Sequence, residues 1–111
     1  MAKNDYYVLV YRMLMYLYNC LKNGEDVDIS KLTPQWLGIN DRYFEYIIDT
    51  LDEEGFILNA AYSEDYTGKY LKSDIMISPK GISYLHENST IQKVKRSVKG
   101  IADIVGNINP L

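Results

Sequence analysis

Two side chains in this 111-residue chain carry the chemistry of a nucleophile or proton carrier, Cys20 and His86, and each is the sole residue of its type. A histidine metal cluster cannot be built from one imidazole. A thiol–imidazole pair would have to draw Cys20 out of a helix that is apolar along most of its length. Cys20 is therefore expected to be a small buried thiol, and His86, beside Glu87 and Asn88, a solvated imidazole. Carboxylates occur together at Glu53-Glu54 and at Glu25, Asp26 and Asp28, but not at the ligand spacing of a calcium loop. No glycine-rich phosphate loop follows a strand. Neither catalysis, metal, cofactor nor a small-molecule substrate is expected.

The remaining chemistry is that of recognition, and it centres on Asn40–Ile57. On a helix of 3.6 residues per turn, Tyr43, Phe44, Ile47, Ile48 and Leu51 form a buried stripe. The outward face is then Arg42, Glu45, Tyr46, Asp49, Asp52 and Glu53. A helix that enters the major groove offers Arg, Lys, Asn or Gln to base edges, while cations hold the phosphates. Here one arginine stands against four carboxylates. Three readings are open: a solvated acidic face, a docking site for a basic protein surface through Glu45, Asp49 and Asp52, or DNA contact led by Arg42 and Tyr46. Further candidate phosphate contacts are Lys69 and Lys72, followed by the basic strip containing Lys93, Lys95, Arg96 and Lys99.

These residues need elements to position them. Asp5 and Gly24 bracket a first helix in which Tyr6, Val10, Leu14, Leu17 and Leu21 share a face. Its other side, with Val8, Leu9, Met15 and Tyr16 beside Arg12 and Asn19, is also apolar and calls for a cover. A turn and at most a very short strand at Val27–Ile29 follow. Thr33 caps a short second helix with Pro34 at its first position and Gly38 as its stop, and Asn40 caps the third. Phe56–Tyr62 and Leu71–Ile77 read as strands flanking a polar loop, Ser63–Tyr70. Ser78 and Pro79 open a fourth helix. From Ile91, the residues Ile91, Val94, Val98, Ile101, Val105 and Ile108 recur at 3-4 spacing as an apolar seam. Gly100 and Gly106 each cost about 1 kcal/mol in a helix, so this segment should be helical only when the seam is packed. A candidate cover is the outer face of the first helix, within one chain or in a homodimer through first and last helices.

The charge is divided along the chain. Residues 91–111 hold four cations and Asp103, a net +3, so residues 1–90 hold −6 of the whole-chain charge of −3. An acidic body lacks the broad basic face of a nucleic-acid binder. With one cysteine, no internal disulfide, no signal-peptide pattern and an apolar run at Tyr6–Leu21 too short to span a bilayer, a cytoplasmic protein free of membrane is expected.

The chain resembles the YjcQ-like family, small bacterial and prophage proteins with a winged-helix fold and no established activity. The resemblance rests on Y-R-M-L-M-Y-L-Y from Tyr11, T-P-Q-W-L-G-I-N-D-R-Y-F from Thr33, D-E-E-G-F-I before the hairpin, I-S-P-K-G-I-S-Y-L at Ile77–Leu85, and K-G-I at Lys99–Ile101. It implies an α+β fold, a winged helix-turn-helix with an additional C-terminal helix. The expected division is a winged-helix domain over 1–89 and a helical extension over 90–111, packed on the domain or on a second subunit. The expected function, on fold analogy, is a small DNA-binding transcriptional or prophage regulator; the alternative, which charge favours, is a protein-interaction module using the acidic third helix without DNA binding.

Overall fold

Three glycines close the first three helices in one manner. The computed structural model describes residues 4–88, in which helix α1 spans Tyr6–Asn23, α2 spans Pro34–Leu37 and α3 spans Asp41–Glu53. Gly24, Gly38 and Gly55 follow these helices with φ of 67°, 74° and 76°. At each, two backbone N–H groups turn back on the last turn. For α3 they are Gly55 to the Asp52 carbonyl and Phe56 to the Leu51 carbonyl. Glycine takes this left-handed conformation without strain, and so fixes where the helix ends and where the chain goes next. The starts are set by side chains. Thr33 Oγ1 accepts from the Trp36 N–H at 3.1 Å, and Asn40 Oδ1 from the Tyr43 N–H at 2.8 Å. Asp5 precedes α1 in extended conformation without a side-chain cap bond.

The expected strand at Val27–Ile29 is absent from the described residues, and a 3-10 turn at Ile29–Lys31 takes its place. Its cause is Asp28, whose Oδ1 accepts from the Ser30 N–H at 3.1 Å and the Ser30 hydroxyl at 2.7 Å. A side chain that satisfies the backbone two residues on competes with strand formation.

After α3 the chain forms β1 (Ile57–Leu58), β2 (Tyr62–Asp65), β3 (Gly68–Leu71) and β4 (Met76–Ile77). β1 pairs antiparallel with β4, and β2 with β3. Between the pairs Leu58↔Met76 and Tyr62↔Leu71 the returning arm has one residue more than the outgoing arm. This bulge (Lys72–Ile75 opposite Asn59–Ala61) sets Tyr62 opposite the buried Leu71, where a regular continuation of the β1–β4 register would have set it opposite Lys72. The expected strands are thus interrupted, and most of the expected polar loop Ser63–Tyr70 is ladder. Only Tyr66 and Thr67 lie outside the pairing. Asp65 explains the difference: its carboxylate accepts from both the N–H and the hydroxyl of Thr67, closing a tight turn between polar strands that no hydrophobic pattern announces.

The hairpin leads into α4 over residues 79–88. Ser78 Oγ accepts from the Gly81 N–H at 3.0 Å and donates to the Gly55 carbonyl at 2.5 Å, while the Ser78 N–H donates to Phe56 at 2.9 Å. One buried serine therefore ties the start of α4 to the exit of α3. A Cβ on Gly81 would lie 2.3 Å from the Phe56 carbonyl oxygen and 2.7 Å from Ile77 Cγ1, so only glycine allows this approach.

α1 packs against β4 and α3. Its buried arc is Leu9, Val10, Met13, Leu14, Leu17 and Cys20, turned from the expected one: Leu9, expected outside, is fully buried, and Leu21, expected inside, is 46% exposed. Leu32 supplies the reason. It is buried on the segment leading into α2 and shares a groove floor with Met13, so α1 is covered on a second side. Leu21 lies at the end of the helix, where the chain turns away at Gly24. The expected extension at 90–111 lies outside the described residues.

Candidate interaction surface

The acidic side of α3 is exposed because its apolar side is fully used. Phe44, Ile47, Ile48 and Leu51 are buried, which turns Arg42, Tyr46, Asp49, Asp52 and Glu53 to solvent. Tyr46 is 60% exposed. It stacks edge-on with Tyr6, at 6.0 Å between ring centroids, and Tyr6 in turn meets Tyr7 at 5.0 Å. The Tyr6 hydroxyl shares a 2.7 Å hydrogen bond with Thr50 Oγ1, and the Tyr43 hydroxyl donates to the Asn4 carbonyl at 2.8 Å. These bonds fix the start of α1 against α3. The result is an aromatic patch of Tyr6, Tyr7 and Tyr46 set beside carboxylates.

The hairpin closes the other side of α3. Lys69 Nζ lies 3.5 Å from Glu45 Oε2 and 4.5 Å above the centre of the Tyr62 ring. Both pair members remain nearly half exposed, so the contact is worth less than about 1 kcal/mol, and its importance is geometric. The Tyr62 hydroxyl is buried and has no hydrogen-bond partner among the described residues. Burial pushes its phenol up to about 12, and the nearby carboxylates of Asp49 and Glu45 add to the rise by disfavouring a third anion.

The candidate residues thus separate. Arg42 is exposed in the first turn of α3. Lys69, a candidate phosphate contact, instead meets Glu45, a candidate protein contact. Lys72 is exposed and lies just past the end of β3, and among the described residues no ion pair joins it to α3 as one joins Lys69. Lys93, Arg96, Ile91, Val94, Val98 and Ile101 lie outside the described residues. Sequence reasoning overlooked Tyr7 and Tyr62, and assigned Tyr6 to the core alone. The unusual count of 11 tyrosines was the available signal. Among the described residues no group of His, Cys, Asp and Glu is arranged to hold a metal ion, and no helix is long and apolar enough to cross a membrane.

Helices and a broken antiparallel hairpin, with an acidic, tyrosine-bearing helix beside the hairpin, define a small α+β protein built around a surface rather than a cavity. The family model described as "YjcQ protein" matches residues 11–104, and the chain belongs to that family. It is similar to "Uncharacterized protein YjcQ" of Bacillus subtilis (strain 168), with 33% identity over 74 residues, covering 67% of this chain and 78% of the relative. No solved structure matches the chain.

Proposed function

We propose that the helices and hairpin form a winged helix whose α3 docks onto a basic protein surface, in a non-enzymatic cytoplasmic protein. The observation that carries this reading is the Lys69–Glu45 pair. In a DNA-reading arrangement the hairpin's cations would lie beside α3 and hold the phosphate backbone. Here the hairpin cation next to α3 is turned onto the protein's own carboxylate and tyrosine ring. That leaves Arg42 against Asp49, Asp52 and Glu53 on the exposed side, a field that repels phosphate and attracts Lys and Arg. Tyr46 and Tyr7 add large exposed rings of the kind enriched at protein interfaces.

The second reading is a DNA-binding transcriptional or prophage regulator. It is favoured by Arg42, exposed in the first turn of the helix after the tight Gly38 turn, and by exposed Lys72. Anisotropy of labelled duplex DNA, titrated with wild-type protein, Arg42→Ala and the Glu45→Lys/Asp49→Lys double variant, separates the two. Docking on a basic partner predicts no Arg42-dependent binding by the wild type, and a gain of DNA affinity on charge reversal. Salt-sensitive wild-type binding that Arg42→Ala weakens would establish the regulator instead.

A further inference from the structure

A groove of about 390 Å³ runs between α1 and the Lys31–Leu37 segment. Met13 and Leu32, both buried, form its floor, and Met15, Trp36 and Leu37 are on its walls. Trp36 is 57% exposed, and it is held there. The Thr33 cap and the Gly38 stop fix a helix of one turn, with the Trp36 N–H bonded to Thr33 Oγ1. A large ring fixed in water beside an open apolar groove is the arrangement of an interaction site.

The charge of the groove is the reverse of the body around it. Residues 1–90 sum to −6, yet neither α1 nor the Lys31–Leu37 segment contains a carboxylate. Among the described residues that line the groove, only Arg12 and Lys31 are charged. Both are exposed, and no ion pair among the described residues engages either. Lys31 Nζ lies 5.9 Å from the centre of the Tyr16 ring, another lining residue. Asp28 is close enough to feel the charge of Lys31, but its Oδ1 is bonded to Ser30 and it does not line the groove.

We propose that this groove receives an amphipathic helix of a partner protein, its apolar face flanked by Asp and Glu. The apolar face fills the space between Met15, Leu37 and Trp36, and the carboxylates meet Arg12 and Lys31. Tryptophan and arginine are the residue types that carry most of the binding energy at protein interfaces. A helix fits better than an added strand, because α1, α2 and the turn before α2 form the groove and none of its described lining residues is on a strand. The α3 side of a second copy is a poorer occupant. It matches the cations, but its apolar residues are buried in the core and it offers the groove one exposed ring, Tyr46. A nucleic-acid strand also matches the cations, but bases stack on rings, and this floor is methionine and leucine.

The test uses the full chain and a tryptophan-free helical peptide with leucines along one face and glutamates flanking them. Anisotropy of the fluorescein-labelled peptide measures binding. Emission of Trp36, the chain's one tryptophan, read with unlabelled peptide, reports whether the groove is where it binds. Saturable binding that shifts Trp36 emission to the blue is expected. Arg12→Glu/Lys31→Glu and Trp36→Ala should each weaken binding about tenfold, with circular dichroism unchanged. The same peptide with lysines in place of its glutamates should leave Trp36 emission unmoved, wherever else it binds. No saturable binding at low salt, equal shifts with the two peptides, or binding indifferent to both variants would overturn the proposal. A stronger response to oligothymidylate would also overturn it, by assigning the groove to nucleic acid. So would Trp36 emission already shielded in the free protein, which would show the groove filled by the chain itself or by a second copy.

Discussion

The outer sides of α1 and α3 are built from opposite materials. Along α1, the side facing α2 is an apolar groove with an exposed tryptophan, edged by the cations Arg12 and Lys31. Along α3, the exposed side is carboxylates and tyrosine, and the nearest hairpin cation is already paired with Glu45. Apolar surface gains free energy by leaving water, roughly in proportion to area. Exposed charges gain little from a contact, but they select its partner and its orientation. The groove is therefore suited to holding something continuously, and the α3 side to choosing a partner that comes and goes.

That contrast is sharpest in the cost of removing a large side chain from each region. Ile47→Ala, beneath the acidic side of α3 where Ile47 is fully buried, is expected to lower unfolding stability by about 3–4 kcal/mol. Trp36→Ala removes more atoms but from a half-open position, and is expected to cost less than about 1 kcal/mol. Chemical denaturation of both variants measures the pair, and equal losses would break the distinction. Gly81→Ala comes next, at about 2–3 kcal/mol, because a methyl group must push the Phe56 carbonyl and Ile77 aside. Its denaturation midpoint should fall well below that of Ser83→Ala, an exposed site on the same helix.

Alkaline pH tests the charged side through Tyr62, and the Tyr62→Phe variant separates it from Tyr16, Tyr43 and Tyr84, whose phenols burial also raises. Because the folded protein holds the Tyr62 phenol up to about 12, against an ordinary value near 10, the folded state keeps a proton that the unfolded chain releases first. This contribution to stability is fully present below pH 10 and is lost as pH rises from about 10 to about 12. Tyr62→Phe should flatten the fall in stability over that window. It should cost little at neutral pH, since the hydroxyl has no hydrogen-bond partner among the described residues. The smallest effect is expected for Glu45→Gln, less than about 1 kcal/mol, although it frees Lys69 and should measurably raise DNA affinity at low salt. A large loss of stability there would make the pair a structural clamp instead of a charge-balancing contact.

The helix boundaries were legible in the sequence because they depend on local chemistry: Thr33, Asn40, Gly24, Gly38 and Gly55 act within a few residues of themselves. The apolar stripe of α3 was legible for the same reason, since a single period decides it. The arc of α1 was not. Two overlapping apolar stripes fit its pattern, and the choice fell to Leu32, whose position depends on the turn that Asp28 makes. The hairpin was misread at both its bulge and its tip, where Asp65 and the extra returning residue set the register without an apolar signal. The acidic side of α3 could be listed from the sequence residue by residue. Its pairing with Lys69 could not, because residues 45 and 69 meet only after the bulge has aimed the hairpin.

The central claim is that α3 selects a basic protein surface. The most direct measurement is a titration of isotope-labelled full-length protein with a lysine-rich helical peptide, followed by amide chemical shifts. Saturable shifts confined to residues 42–53, Tyr7 and Lys69, and lost in Glu45→Lys/Asp49→Lys, are the expected result. Shifts spread equally over Glu25, Asp26 and Glu64, unchanged by that reversal, would show only the attraction of an acidic body for a cation and would contradict the claim.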